Sequence, residues 1–326
     1  MYSIQVVGAG SFGLALARLL ANNGNAVRLW CREEDGPDTL RSTRENRAFL
    51  PGILLPDAVE VDRAIEPGVD IAVYAVPSHI MRLAAAAHRF SGNTIRVSVA
   101  KGIENDSLLR MSEIIREVAP GGPVVALSGP SHAEEVAHDL PASVVVASDC
   151  SAACETVQKA FFARSFRVYT STDIAGVELG GSLKNVIAIA AGVCDGLGLG
   201  DNAKSALMTR GLAEMARLGV ALGADPLTFA GLSGMGDLIT TCTSPHSRNR
   251  RLGEGLARGK TLDELTGNSP MVAEGVRTTR SAVALALKAN VELPIAEAVH
   301  HVLFDGAQPR EAIYLLLNRE ARPEAG

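Results

Sequence analysis

Apolar positions follow two different rhythms along this chain. Up to about residue 175, short, mostly apolar runs recur at residues 4–7, 26–31, 71–76, 95–100, 124–128 and 143–147. Each has the length and flanking expected of a strand. Segments with helical spacing, such as 14–23 and 107–118, lie between them. That alternation predicts a mostly parallel sheet. From about Gly176 the rhythm becomes helical alone, in 176–193, 203–222, 276–290, 295–304 and 310–318, so the second part of the chain is expected to be all helix. Residues 194–202, rich in glycine, are expected to be an irregular connector between two core helices. The closing residues 322–326 are expected to fray.

The first turn carries chemistry. Gly8-Ala9-Gly10-Ser11-Phe12-Gly13 follows a strand, opens a helix, and is succeeded by a second strand after the Gly24 stop. In such a βαβ unit Gly8 allows the tight turn, Gly10 lets a pyrophosphate approach the backbone and Gly13 lets helix and strand pack closely. Free amides and the helix dipole hold the anion. This is the pattern of a Rossmann-type dinucleotide-binding domain. Arg32, at the end of the second strand, offers a cation to a 2′-phosphate and so favours NADP(H). A surface loop charge is the lesser reading, and Glu33 or Glu34 could reach ribose hydroxyls and admit NAD(H). Ligands of parallel sheets collect at the carboxyl ends of strands. Pro77-Ser78, Lys101-Gly102 and Gly129-Pro130-Ser131 fall there and should line one crevice. Lys101 faces either solvent or a bound phosphate.

In the helical part, Lys184 is the only charged residue between Leu179 and Cys194, just after Gly180-Gly181. Burial disfavours an ammonium and moves its pKa toward a value useful for proton transfer; alternatively the side chain snorkels to water. The glycine pair is expected to let cofactor and substrate approach the helix start. Ser247-Arg248-Asn249-Arg250-Arg251 gathers the donors that a phosphate or carboxylate requires, although some of the arginines fit a solvated helix face equally well. Asp237, in a glycine-lined turn, either orients a lysine or caps the following segment.

Bulk properties then narrow the setting. At 326 residues two domains are expected, divided here as 1–177 and 178–326. A formal charge of -5 disfavours nonspecific nucleic-acid binding. Cysteines 31, 150, 154, 194 and 242 match neither a disulfide framework nor zinc spacing, so reduced thiols and no metal are expected. The N-terminus lacks the pattern of a cleaved signal. No 18-residue stretch reads as apolar enough to span a bilayer, with Lys184, Asn185 and Asp195 interrupting the best candidate. A cytoplasmic protein without membrane insertion is the expectation.

Several motifs occur in order: GAGSFG, Ala100-Lys101-Gly102, Leu127-Ser128-Gly129-Pro130-Ser131, and Gly181-Ser182-Leu183-Lys184-Asn185 leading to Gly198-Leu199-Gly200-Asp201-Asn202. Gly231-Leu232-Ser233-Gly234-Met235-Gly236-Asp237, Ser247-Arg248-Asn249 and Val272-Ala273-Glu274-Gly275 follow. Across nearly the whole chain this set resembles the bacterial NAD(P)-dependent sn-glycerol-3-phosphate dehydrogenases. Ser182 departs from the alanine or threonine frequent there, with no functional consequence. The resemblance implies a 6-phosphogluconate-dehydrogenase-like α/β architecture, with an all-α C-terminal domain, and reversible reduction of dihydroxyacetone phosphate for glycerophospholipid synthesis. It implies Lys184 as the proton-transfer residue. Lys101, Gly129, Ser131, Asp237, Ser247, Arg248 and Asn249 fall on substrate positions. Gly8, Gly10, Ser11, Phe12, Gly13, Arg32, Lys101, Ala133, Arg248, Val272 and Glu274 fall on cofactor positions, with NADPH/NADP the favoured cofactor and NADH/NAD also admitted. The partner implied is a small phosphorylated substrate, and a homodimer is compatible with the resemblance. Two other functions share the fold: an NADP-dependent reductase of another small oxo or hydroxy acid, and a non-catalytic NADP(H) sensor. The polar clusters at Asp237 and 247–249 argue against both.

Overall fold

The computed structural model describes residues 1–267 and 273–320. Eight strands form one sheet in the order β3-β2-β1-β4-β5-β6-β7-β8. Their ranges are Ser3–Val7 (β1), Ala26–Trp30 (β2), Val59–Asp62 (β3), Ile71–Tyr74 (β4), Ile95–Ser98 (β5), Val124–Ser128 (β6), Ala142–Ala147 (β7) and Phe166–Ser171 (β8). All neighbours pair in parallel except β6 and β7, where Ala126 opposes Ala147 in an antiparallel ladder. The mostly parallel sheet expected from the strand rhythm is therefore present. Strands β3 and β8 were not expected. Each is short and alternates apolar with polar residues, Val59 and Val61 or Phe166 and Val168 turning inward, as edge strands do. On one face the sheet packs against helices Ser11–Asn22 and Ser151–Phe161, and on the other against Met81–Ala87 and Met111–Val118.

Two expected boundaries need correction. The helix placed at 107–118 starts only at Met111, because Leu108 has φ +61° and the Arg110 amide donates to the Glu113 carboxylate, capping the start. The glycine run 194–202 is mostly helical: one helix runs Ile174–Leu197 and the next Gly200–Ala221, with Gly198 as the left-handed cap between them. Gly196 lies inside the first of these helices, where a Cβ would lie 2.6 Å from Ala257 Cβ and 2.9 Å from Glu254 O. It serves helix packing and not a bend.

The Ile174–Leu197 helix is the axis of the second core, packed by helices Gly200–Ala221, Asp237–Thr243, Arg248–Ala257, Glu274–Ala289 and Pro294–Phe304. At mean hydropathy 1.3 its best 18-residue window does pass as apolar enough to cross a bilayer, contrary to expectation, yet all of that window is buried inside the protein. The Arg248–Ala257 helix crosses it backbone against backbone: a Cβ on Gly192 would lie 1.9 Å from Arg250 O, and one on Gly253 2.0 Å from Ile189 O. The start of the long helix is joined to the sheet. Asp173 caps it by accepting from Gly176 N at 2.8 Å, and Val177 packs on Ala126 and Ala147. Buried Glu178 accepts from Arg110 Nη1 and Ser112 N, each at 2.7 Å. All five cysteines are free thiols.

Candidate active site

A cleft of about 280 Å³ opens where the strand order reverses, between β1 and β4, which is where open α/β sheets bind ligands. The glycine turn forms one wall. Gly8 has φ +114° and abuts Ala75 O, while a Cβ on Gly13 would sit 1.9 Å from Gly8 O, so both glycines are imposed by close packing. Gly10 is different: a Cβ there would meet nothing within 4 Å, and the residue lines the cleft at the N-terminus of Ser11–Asn22. Unobstructed backbone at a helix N-terminus suits a pyrophosphate, so these residues fit a dinucleotide. Ser11 and Phe12 line the same wall, and Ser11 Oγ donates to Phe49 O at 2.6 Å. Ala133, the first residue of a short helix at 133–137, lines the cleft as well.

The centre of the site is a carboxylate shared by two lysines. Asp237 begins helix Asp237–Thr243 and is 2% exposed. Its Oδ1 accepts from Lys184 Nζ at 2.9 Å and its Oδ2 from Lys101 Nζ at 2.7 Å. Lys101 also donates to Gly129 O at 2.8 Å, and Lys184 to Thr241 Oγ1 at 2.6 Å. Burial opposes ionisation of Asp237, but the two ammonium groups overcome it and hold the carboxyl below the usual carboxylate range. Lys184 is 5% exposed and does not snorkel. Burial pushes it down to about 8, with Asp237 resisting and Lys101 assisting. Asp237 thus orients lysines from the first turn of its helix, which is the former of its two sequence readings. Lys101, its side chain 17% exposed, lines the cleft while its ammonium bonds Asp237 and Gly129 O.

Gly180 and Gly181 have another purpose than the one expected. A Cβ on Gly180 would lie 2.9 Å from Ser233 O, and one on Gly181 2.3 Å from Ser128 Oγ and 3.6 Å from Lys101 Cγ. The pair brings the long helix against β6 and against the π-helical turn Leu232–Gly236 that precedes Asp237. Glycine here assembles the lysine–aspartate bridge and does not clear room for ligand. Gly129, at φ +129°, turns the chain after β6 so that its carbonyl meets Lys101, and Ser131 Oγ donates to the same oxygen at 3.0 Å.

Ser247, Arg248 and Asn249 reach the cleft together. Ser247 caps helix Arg248–Ala257, accepting from Arg250 N at 3.2 Å. Asn249 Nδ2 donates to Asn185 Oδ1 at 2.9 Å, and its own Oδ1 accepts from Gly275 N at 3.0 Å. The other two arginines lie elsewhere. Arg250 pairs with Asp195 at 2.6 Å and Glu254 at 2.8 Å, whereas exposed Arg251 borders a separate hollow with Arg277. Glu274 lines the cleft, but its carboxylate accepts from Ser78 N at 3.0 Å and from Ser78 Oγ. Arg32, with its side chain 59% exposed, is held by Asp35, Nη2 to Oδ1 at 2.8 Å, with Glu34 Oε2 3.9 Å from its Nε. Val272 lies outside the described residues. Thr241, Asn185 and His132 line the cleft without having been assigned roles. Thr241, four residues after Asp237 on one helix, was within reach of a spacing argument; His132 carried no signal.

The family model described as the NAD-dependent glycerol-3-phosphate dehydrogenase N-terminus matches residues 3–154, and its C-terminal counterpart matches 173–314. The chain belongs to the NAD-dependent glycerol-3-phosphate dehydrogenase family. Among family members, the glycerol-3-phosphate dehydrogenase (NAD(P)+) of Pelotomaculum thermopropionicum is 51% identical over 97% of this chain and 93% of its own. That of Salinibacter ruber is 50% identical over 99% and 97%. The crystal structure of glycerol-3-phosphate dehydrogenase from Coxiella burnetii superimposes with TM-score 0.93 at 37% identity, covering 98% of this chain and 99% of that one. A ketopantoate reductase from Ralstonia eutropha shares the fold alone, with TM-score 0.60 at 16% identity over 95% of this chain and 99% of that one.

Proposed function

We propose that this family member catalyses the reversible NAD(P)H-dependent reduction of dihydroxyacetone phosphate to sn-glycerol 3-phosphate, as a cytoplasmic supplier of glycerophospholipid synthesis. The observation that carries the reading is the Lys101–Asp237–Lys184 bridge at the inner end of a cleft that begins on the glycine turn. Residues 1–177 then form the dinucleotide-binding domain and 178–326 the helical domain that supplies the proton-transfer lysine. The net charge of -5 disfavours nucleic acid as a partner, and burial of the long apolar helix leaves it no surface for a bilayer.

Gly8, Gly10, Ser11, Phe12 and Gly13 would hold the pyrophosphate of a reduced dinucleotide, which when bound would supply the hydride. Lys184 donates its proton to the carbonyl oxygen as that oxygen gains electrons, and takes a proton back in oxidation. A pKa of about 8 lets one side chain serve both directions near neutral pH. Asp237 holds the ammonium in place and stabilises its charge, while Lys101 keeps a second positive charge beside the same site. Arg248, Ser247 and Asn249, with Gly129 and Ser131, form the substrate's phosphate-bearing surroundings, and Arg248 reaches cofactor as well. Ala133 and Glu274 line the same cleft and would contact the dinucleotide. The test is direct: purified protein should oxidise NADPH, followed by loss of absorbance, on addition of dihydroxyacetone phosphate. No loss with either reduced cofactor refutes the reading.

A further inference from the structure

Most polar side chains around the cleft centre have their hydrogen bonds accounted for. Thr241 serves Lys184 and its own helix, Asn185 and Asn249 serve each other, Ser131 serves Gly129 and Ser247 caps its helix. His132 is the exception. Among the described residues, several buried side-chain nitrogens and oxygens have no partner, and of these His132 Nε2 alone belongs to a residue lining the cleft. A buried polar atom without a partner costs free energy unless a ligand supplies one.

The electrical state of the ring narrows the choice of ligand group. Burial, Lys184 and Lys101 push His132 down to about 4, against the weaker opposing pull of Asp237 and Glu134. The ring of His246 lies 5.9 Å away. At neutral pH the imidazole is uncharged, and Nε2 is a donor or an acceptor according to tautomer. Phosphate and a carbonyl oxygen gaining charge are matched by the cations of the cleft; a neutral imidazole matches a neutral hydroxyl, which can take either role.

Resting on the reading above, we propose that His132 is a specificity-determining residue whose Nε2 hydrogen-bonds the free hydroxymethyl group of the three-carbon substrate. A site built to bond a hydroxyl rejects the analogue that lacks it, because the site's own polar atom is then left unpaired. The deoxy analogue here is hydroxyacetone phosphate, which keeps the carbonyl and the phosphate.

The experiment compares kcat/KM for dihydroxyacetone phosphate and hydroxyacetone phosphate in wild type, H132F and H132Q, with NADPH binding by fluorescence as the check on folding. H132F should lose about tenfold or more on dihydroxyacetone phosphate and change by less than about threefold on the analogue. H132Q should recover part of the preference. Equal losses on both substrates, as a phosphate contact or a purely structural role gives, overturn the proposal, and so does an unchanged ratio. Should H132F fail to bind NADPH, H132A is judged by the same ratio. A wild type inactive on dihydroxyacetone phosphate refutes the functional reading instead, so the two failures are distinct.

Discussion

Replacing Asp237 by asparagine isolates what the shared carboxylate does for Lys184. The side chain keeps nearly the same shape, but the negative charge 2.9 Å from one ammonium and 2.7 Å from the other is gone. An opposite charge this close is worth about 1–3 pKa units, or ~1.4–4 kcal/mol of preference for the charged form. The remaining influences, burial and the Lys101 charge, both push downward. Lys184 should therefore fall from about 8 to roughly 5–7. Reduction needs the protonated form, so activity is present below this pKa and lost above it. For a fall of about two units, the protonated fraction at pH 7.5 drops from about three quarters to a few per cent, a loss of roughly 20-fold from ionisation alone. The assay is the pH profile of kcat/KM for dihydroxyacetone phosphate between pH 5 and 9. An alkaline limb that stays near pH 8 in D237N, with activity lowered evenly at all pH values, would refute the electrostatic argument and leave Asp237 a packing role.

Other perturbations separate the remaining roles. Lys184→Ala should lower kcat by about 10²-fold or more while NADPH affinity, measured by fluorescence titration, stays within a few-fold; a large loss of affinity instead points to a structural lysine. Arg32→Asp should move the kcat/KM preference from NADPH toward NADH by about tenfold or more, and an unchanged ratio removes Arg32 from the 2′-phosphate. Buried Glu214, which accepts from Ile295 N and Ala296 N, is pushed up from 4.5 to about 7 by burial. The native state then holds a proton that the unfolded state releases, so stability present at low pH is lost as pH rises from about 4.5 through 7, by up to about 3 kcal/mol. Glu214→Gln should erase that component. The difference in melting temperature between wild type and variant should therefore change across pH 5–8, and a constant difference would count against it.

Local patterning was enough for the glycine turn, because strand, turn and helix are adjacent in the chain and each announces itself by spacing. It was also enough to mark Lys184 as unusual. It could not place Asp237 between Lys184 and Lys101, since these contacts span 53 and 136 residues and depend on tertiary packing. Gly180, Gly181 and Gly196 show the same limit from another side. Glycine in a sequence suggests either freedom or a missing side chain, and which of these matters depends on what the opposing element presents, here Ser233, Ser128 and Glu254. Strands β3 and β8 were missed because four to six residues alternating with Glu60, Arg167 and Tyr169 at the sheet edges give little apolar signal. His132 is a plain residue in sequence, and only its unpaired nitrogen beside two lysines makes it chemically interesting.

The long helix Ile174–Leu197 also imposes an order on biogenesis. When its last residue leaves the ribosome the whole sheet has emerged, and the segments that will cover most of its surface, from Gly200 to Phe304, have not. For that interval the newborn chain presents 24 residues with the length and hydropathy of a membrane anchor, and it already carries the lysine that will become the most deeply enclosed ammonium of the cleft. Glu178 on its first turns and the sheet residues Ala126 and Ala147 offer an early foothold. The remaining apolar surface must wait for more than a hundred residues of translation, which makes this helix the point at which synthesis, chaperone capture and aggregation compete.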